Sequence, residues 1–564
     1  MTTLVRRPAH PAAEALQAAG LPPVLARIYA SRGIASASEL DHSLRALPPF
    51  ASMRGIGDAA ARLCKAIANG ERIVIVADYD ADGATACAVG IRGLRAFGAK
   101  VDFIVPNRFE YGYGLTPEIV GLAARLDPHL IVTVDNGIAS VDGVRAAAAR
   151  GIDVLVTDHH LPGPELPSPA IIVNPNQPGC TFPSKHIAGV GVMFYVLTAT
   201  RAKLRETGAF ATGPEPNLAR LLDLVALGTV ADVVRLDQVN RIFVDQGLAR
   251  IRAGSAHPGV RALFGVAGRE AARATTYDLG FVAGPRLNAA GRLADMSIGI
   301  RCLLCDGDAE AADLARQLDG LNRERREIES SMQDEALSDL GGVEVDDDQF
   351  TLCMFRPEWH QGVVGIVAAR LKDRFHRPAF VFARGSDGEL RGSGRSIAGF
   401  HLRDALDIVS KRSPGAIVKF GGHAFAAGLT LREGALPDFR SAFETVAREQ
   451  LTPQQLARTL ESDGALARGE LDLRLARLLR GNVWGQGLPP PTFDDTFDVV
   501  ATRIVGGQHT RLTLERDGER FEAILFRHAD PLPGRLVAAF RPEVNEWQGT
   551  EALELTIEHW WPAP

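Results

Sequence analysis

The stretch Arg72-Ile-Val-Ile-Val-Ala77, followed at once by Asp78-Tyr-Asp80-Ala-Asp82-Gly83, decides how this chain is read. A short run of apolar, β-branched side chains with no polar alternation is the pattern of a strand covered on both faces. Carboxylates then recur on alternate positions, and Ala84 to Phe97 shows helical apolar spacing closed by Gly98. The same unit recurs downstream. Lys100–Pro106 (KVDFIVP) reads as a strand, and Thr116-Pro117 opens a helix, because Thr can cap and Pro fits the first turn. His129–Val134 (HLIVTV) reads as a third strand, Val141–Arg150 as a helix ended by Gly151, and Ile152–Thr157 (IDVLVT) as a fourth strand. Buried strands alternating with helices predict an α/β fold built on a doubly wound parallel sheet. Ligands of such sheets lie beyond the carboxyl ends of the strands.

Three of those strand ends are acid-rich: Asp78, Asp80 and Asp82 after the first strand, Asp135-Asn136-Gly137 after the third, Asp158-His159-His160 after the fourth. A parallel sheet brings them to one edge, where unneutralised carboxylates would repel and raise each other's pKa values. Divalent cations resolve that conflict, and carboxylates with one or two imidazoles suit Mn²⁺ or Mg²⁺. Asp80 and Asp82, two apart, would point the same way in extended backbone. Asp135 could bridge two ions; such a pair, about 3.5–4 Å apart, can activate a water and stabilise both oxygens of a phosphoryl displacement. One cluster alone would be no more than a strand-to-helix turn with a capping Asp; three on one edge are not.

The 564 residues exceed one ordinary domain. We expect an N-terminal segment, loosely packed, over 1–50; the parallel-sheet domain over 51–304; a connecting helix over 305–345, charged and solvated; a second α/β domain over 346–450; and a polar helical linker leading into a small β-barrel over 451–564. Asp517-Gly518 between alternating runs predicts a hairpin in that barrel. The 62 Lys and Arg against 68 Asp and Glu leave a net charge of −6, which by itself disfavours a protein coated in positive charge for nucleic acid. The distribution says otherwise. Residues 351–430 hold twelve basic and six acidic side chains, whereas residues 71–160 hold eight and twelve, so a positive second domain would face an acidic metal edge across a groove for a phosphate-bearing strand. At 46% hydrophobic and 23% charged, the chain is not mainly disordered. No run of 18 apolar residues predicts a membrane span and the N-terminus lacks a signal-peptide core, so a cytoplasmic location is expected. The six cysteines make no disulfide framework, and Cys302 and Cys305 read as two partly buried thiols. Without a G-x-x-x-x-G-K-[ST] motif there is no sign of ATP hydrolysis.

These motifs carry a family resemblance. Asp78–Thr85, Val134–Ile138, Asp158–His160 and Leu227–Leu236 resemble, in order, the first four motifs of the DHH phosphoesterase superfamily. The D-x-D-x-D-G form, Pro106–Arg108, Tyr111–Gly114 and Gly284–Arg292 are similar to the RecJ family of single-stranded-DNA exonucleases. Trp359–Val367, Gly392–Ser396 and Phe420–Gly428 resemble the DHH-associated domain, and the segment from Trp484 resembles an oligonucleotide-binding (OB) fold. The resemblance implies a 5′-to-3′ exonuclease that degrades single-stranded DNA to 5′-mononucleotides in recombination and repair. It implies two ions, Mn²⁺ or Mg²⁺: Asp80 and Asp135, with Asp78, at the first; Asp82, Asp135, His159 and Asp232 at the second. Many relatives carry a His four residues before Asp80, where this chain has Val76, so the first ion would lean on Asp78 or water. Asp158 would orient a neighbour and His160 would face the scissile phosphate, making His160, Asp158 and Asp135 the catalytic set. Arg286, Asn288 and Arg292 would sit near the phosphate, Arg108 near the 5′ end, and Ser393, Arg395, Ser396, Gly421, Gly422 and His423 in Gly-rich turns that cradle a phosphate. Expected partners are single-stranded DNA with a 5′ end, a single-strand-binding protein and a RecQ-type helicase, with the chain a monomer and no membrane involved. The same chemistry on short RNA or a cyclic dinucleotide, or a non-catalytic binding module, are the competing readings.

Overall fold

The computed structural model describes residues 2–107, 111, 114–339, 348–385, 388–547 and 549–563. The chain divides into two compact units, one of residues 6–319 with 461–564 and the other of residues 1–5 with 320–460.

The first unit holds the parallel sheet. Its strands are β1 (Arg72–Ala77), β2 (Lys100–Ile104), β3 (Leu130–Val134), β4 (Asp153–Thr157) and β5 (Ile171–Val173), ordered β2-β1-β3-β4-β5 and parallel throughout. The four expected strands are present; β5 was not expected, because three residues carry no readable period. The interleaved helices are α1 (Ala81–Ala96), α2 (Pro117–Ala124) and α3 (Val141–Ala148), followed by α4 (Gly189–Glu206), α5 (Leu222–Ala231) and α6 (Gly284–Leu293). Thr116 caps α2, its hydroxyl oxygen accepting from Ile119 N at 3.3 Å. Val74, Val76, Ile131, Val154 and Val156 pack with α2 and α3 on one face of the sheet. Burial on both faces explains why β1, β3 and β4 read as apolar runs. The chain changes winding direction between β1 and β3, and such switch points are where doubly wound sheets bind ligands.

Residues 1–50 depart from the expectation of a loosely packed segment. Leu16, Ala26, Ile28 and Tyr29 are buried. The Tyr29 ring stacks on Trp484 with centroids 5.5 Å apart, its hydroxyl donates to Asn482 Oδ1 at 2.7 Å, and Arg32 pairs with Asp463 at 2.7 Å. The partners lie more than 400 positions away in sequence, beyond the reach of local pattern. Residues 451–480, expected helical, contain a short 3₁₀ helix at Pro453–Leu456, the strand Thr459–Ser462 and an α-helix that begins only at Leu473 and ends at Gly481. Beyond them five strands close into a barrel around Phe493, Phe497 and Phe540. The Asp517-Gly518 hairpin is present, both residues having positive φ (52° and 79°), as a two-residue type I′ turn requires.

The helix Asp308–Asp339 runs from one unit into the other. The second unit carries a five-stranded mixed sheet packed on helices Leu402–Arg412 and Leu436–Gln450 through Phe380, Phe382, Phe439 and Phe443. Among the described residues no helix is long and apolar enough to cross a membrane.

Candidate metal centre

The carboxyl ends of β1, β3 and β4 each continue one residue past the strand. Asp78 N donates to Val134 O at 3.3 Å, Asp135 N to Thr157 O at 3.0 Å and Asp158 N to Val173 O at 3.1 Å. Each acidic residue is therefore pinned by the next strand in the sheet, and the three form a row along its edge. Asp135 adopts the left-handed conformation (φ 61°), which turns the chain sharply, and Asp is among the residues that tolerate it. Asn136 donates its side-chain amide to Val76 O and Val134 O, tying β1 to β3.

Two donor clusters result. Asp78, Asp80 and Asp135 form one; Asp82, His159 and Asp232 form the other; Asp135 also lies with His159 and His160, and within each group the donor atoms fall within 4.8 Å of one another. His159 Nε2 is 3.1 Å from Asp135 Oδ1 and 3.4 Å from Asp232 Oδ2. Asp82 comes from the first turn of α1 and is buried, its oxygens accepting from Gly189 N (2.6 Å) and Val190 N (2.9 Å) at the start of α4. The site needs close approach there: a Cβ on Gly189 would lie 2.7 Å from Asp135 Cβ. Asp80 caps α1 by accepting from Gly83 N at 3.0 Å. Asp158 faces away from the other carboxylates in its bonding. It accepts from Ile138 N (2.9 Å), His159 N (2.7 Å) and His160 N (3.1 Å), and it lies 2.8 Å from His160 Nδ1.

The electrostatics expose the cost of this crowding. Burial, then the charges of Asp82, Asp80, Asp232 and Asp78, hold the Asp135 carboxyl well above the ordinary carboxylate range. Asp232 is raised likewise by burial and by Asp82, Asp80 and Asp78. Asp82 is pushed up to about 7, by burial first and Asp80 second, against the two α4 amides. Burial would lower His160, but its bond to Asp158 and the charges of Asp158, Asp78 and Asp80 prevail and raise it to about 9. Burial opposes ionisation of Asp158 too, yet the contacts with His160, His159 and Ile138 N hold its carboxyl below the ordinary value. Asp232 Oδ2 is buried and makes no hydrogen bond among the described residues. Buried carboxylates crowded against one another beside an imidazole fit hard divalent cations, which take oxygen ligands with some imidazole.

Two supporting residues, Asn174 and Asn176, were not visible in sequence. Asn176 donates to His159 O at 2.6 Å and Asn174 to His160 O at 3.0 Å, so the turn after β5 holds the backbone of both histidines. The Asn-Pro-Asn at 174–176 was the available signal, but it follows a strand too short to read. Asn288 accepts from Ala81 N at 2.8 Å and so braces the start of α1. Arg286 is buried and spends its guanidinium on Asp319 (2.8 Å) and Val282 O (2.7 Å). Arg292 is half-buried and follows Gly291, where a Cβ would lie 1.8 Å from Tyr79 O, so α6 sits directly on the Asp78–Asp80 turn. Arg108 lies outside the described residues.

In the second unit the structure corrects the expected Gly-rich turns. Ser393 and Arg395 belong to the strand Leu390–Arg395, and Gly421 and Gly422 to the strand Ile417–Gly422, each paired with Ala426–Leu431. Gly392 and Gly394 are there for space: a Cβ would meet the Phe382 and Phe380 rings at 2.3 and 2.4 Å. Arg395 donates to Ser393 Oγ (3.2 Å) and Gly394 O (2.8 Å), and Ser396 is buried and donates to Phe400 O at 2.7 Å. His423 is exposed in the hairpin after Gly422, its N–H bonded to Ala426 O. The lone C-x-x-C is buried: burial pushes the Cys302 thiol up to about 12, and Cys305 donates to Cys302 O.

A doubly wound sheet whose switch point carries Asp-x-Asp-x-Asp, Asp and Asp-His-His turns defines a phosphoesterase of the DHH class. Family models agree along the chain: residues 72–229 match the DHH family N-terminal domain, residues 347–449 the DHHA1 domain and residues 462–559 the RecJ OB domain. The chain is 50% identical over 575 residues to the single-stranded-DNA-specific exonuclease RecJ of Dickeya dadantii, covering 100% of both. It is 48% identical to the protein of that name from Escherichia coli, covering 96% of each. Its structure is similar to that of RecJ from Thermus thermophilus in complex with Mn²⁺, with a TM-score of 0.84 at 31% identity over 100% of this chain and 80% of that one. The chain belongs to the RecJ family of single-stranded-DNA-specific exonucleases.

Proposed function

We propose that this protein hydrolyses single-stranded DNA from its 5′ end to 5′-mononucleotides, in recombination and repair, with two divalent cations, Mn²⁺ or Mg²⁺, at the carboxyl edge of its parallel sheet. The observation that carries the two-ion reading is the pair of donor clusters, Asp78–Asp80–Asp135 and Asp82–His159–Asp232, with Asp135 and His159 in contact between them. Cations bound there would polarise a water and offset charge on the phosphate oxygens. Asp158 positions His160 through Nδ1, and the imidazolium that this bond favours can donate to a phosphate oxygen. Cations held there would offset the Asp78 and Asp80 charges and leave the Asp158 bond to His160 in place. Val76, buried in β1, would add no ligand to a first ion, which would lean on Asp78 or water. Asn288 and Arg286 act by bracing α1 and α6, and Arg292, Arg108, Ser393, Arg395, Gly421, Gly422 and His423 are the candidates for phosphate contacts. The chain works as a monomer in the cytoplasm. With no nucleotide-hydrolysis motif, strand separation falls to a RecQ-type helicase, and a single-strand-binding protein presents the strand.

The test is digestion of 5′-labelled single-stranded and duplex DNA with Mn²⁺. The expected result is mononucleotide release from the single strand alone, abolished in Asp135→Ala; equal cleavage of duplex, or activity surviving in Asp135→Ala, overturns the reading. Titration calorimetry with Mn²⁺ counts the ions.

A further inference from the structure

The segment Asp278–Ala283, immediately before α6, is a π-helical turn. Single π turns are uncommon and occur often at functional sites. Because a π turn holds more residues than an α turn, side chains four apart come nearly into line. Here those side chains are Tyr277 and Phe281, stacked with centroids 5.0 Å apart and planes 21° from parallel. Neither ring is used by the core: Tyr277 is 56% and Phe281 67% exposed, and nearby in the chain's fold Val233 is 64% exposed. The segment is nonetheless held firmly. Asp278 is buried and accepts from Thr275 N (2.9 Å) and Thr275 Oγ1 (2.8 Å), and Gly280 packs on Val230, a Cβ there falling 3.2 Å from Val230 Cγ1. Gly284 packs on Ala231 in the same way, at 3.0 Å. Val230 and Ala231 immediately precede Asp232, so the segment that carries the aromatic pair packs on the end of α5 that supplies a donor-cluster carboxylate. Arg269 lies over the Tyr277 ring, its guanidinium carbon 5.9 Å from the centroid, with its Nε 3.7 Å from Asp278 Oδ1 and the side chain half-exposed.

We propose that Tyr277 and Phe281 form a base-stacking platform that seats nucleobases of the single strand beside the metal centre, with Arg269 opposite the neighbouring phosphate. A rigid, exposed pair of aromatic faces with a cation on one side matches a base and its backbone charge, since every base presents a π face and each nucleotide a phosphate. Gly280 and Gly284 seat this segment on Val230 and Ala231, immediately before Asp232, so a strand held at that carboxylate would pass close to the aromatic pair. This assignment rests on the exonuclease reading and adds to it a contact with bases rather than phosphates.

The test compares steady-state hydrolysis of 5′-labelled oligonucleotides by wild type and by Tyr277→Ala/Phe281→Ala, with Mn²⁺. Loss of one stacked base raises KM by about tenfold or more while kcat changes little. Tyr277→Phe and Phe281→Tyr keep the aromatic faces and keep wild-type KM. A single abasic residue walked from the 5′ end raises KM for wild type at the stacked position and has no further effect on the double variant. Thermal melting checks the fold; if the Ala variant melts early, Tyr277→Leu/Phe281→Leu, which keeps apolar bulk without a π face, takes its place. Unchanged KM in the variants overturns the proposal, as does a KM increase that ignores the abasic position. A defect that appears only when a single-strand-binding protein is added assigns the patch to a protein partner and also overturns it. Wild-type protein that fails to cut single strands sinks the exonuclease reading instead, so the two failures are distinct.

Discussion

Asp135 is the residue on which the chemistry and the folding energetics pull in opposite directions. It lies between the two clusters, in left-handed backbone, buried among like charges. Asp135→Asn therefore abolishes Mn²⁺-dependent hydrolysis and yet raises the melting temperature of the metal-free protein, because it removes a buried charge; activity and thermal melting in chelator, measured side by side, check this. The pH dependence follows the same logic. Asp82 is raised from 3.8 to about 7, so its contribution to stability is full below pH 4 and is lost as pH climbs through about 7. His160, raised from 6.5 to about 9, contributes fully below pH 6.5 and loses that contribution through about 9. Metal-free protein thus melts at progressively lower temperature from pH 4 to 9, apart from what Asp158, whose carboxyl is lowered, adds at the acid end. Saturating Mn²⁺ flattens the decline, and its apparent affinity rises from pH 6 to about 8 because binding expels protons from the carboxyls. Flat melting temperatures in chelator across that range would refute the crowding argument. Asp158→Asn leaves the clusters intact but unseats His160, and a loss of activity of about 10–100-fold with unchanged ion stoichiometry is the expected outcome.

Helices and strands position these residues by close approach. Helix α6 meets the Asp78–Asp80 turn through Gly291, where a Cβ would fall 1.8 Å from a backbone oxygen that cannot swing aside. Gly291→Ala accordingly costs about 1–3 kcal/mol in urea unfolding, and the surviving protein binds Mn²⁺ more weakly at the first cluster. At this scale much was legible. Strands β1, β3 and β4 are apolar runs ended by turn residues, and α2 carries its own cap, so local pattern and final structure coincide. Strand β5 was not legible, and with it went Asn174 and Asn176, whose amides hold the backbone of His159 and His160. The glycines at 392 and 394 read as a loop because glycine usually marks one; in the sheet they leave room for Phe380 and Phe382, a reason that exists only once strands Ala379–Arg384 and Leu390–Arg395 are paired.

Within the larger unit, residues 6–319 and 461–564 form one body despite the long excursion of chain between them. Trp484 is a main fastener: its ring stacks on Tyr29 and lies 5.7 Å from the Arg32 guanidinium, and its indole N–H donates to Leu479 O. Trp484→Ala is expected to cost roughly 3–5 kcal/mol and to expose residues 1–50 to protease before the parallel sheet is cut, which limited proteolysis with mass spectrometry reads directly. Sequence by itself determined the parallel sheet, the acidic edge and the closing barrel, because buried strands, strand-end carboxylates and a type I′ Asp-Gly turn are written over a few consecutive residues. Only tertiary structure decided that the N-terminal helices pack on Trp484, that Asp82 is held by the start of α4, and that the segment of Tyr277 and Phe281 packs on Val230 and Ala231 through Gly280 and Gly284. Each of those depends on partners far apart in the chain, and local sequence carries no record of which distant surface will arrive.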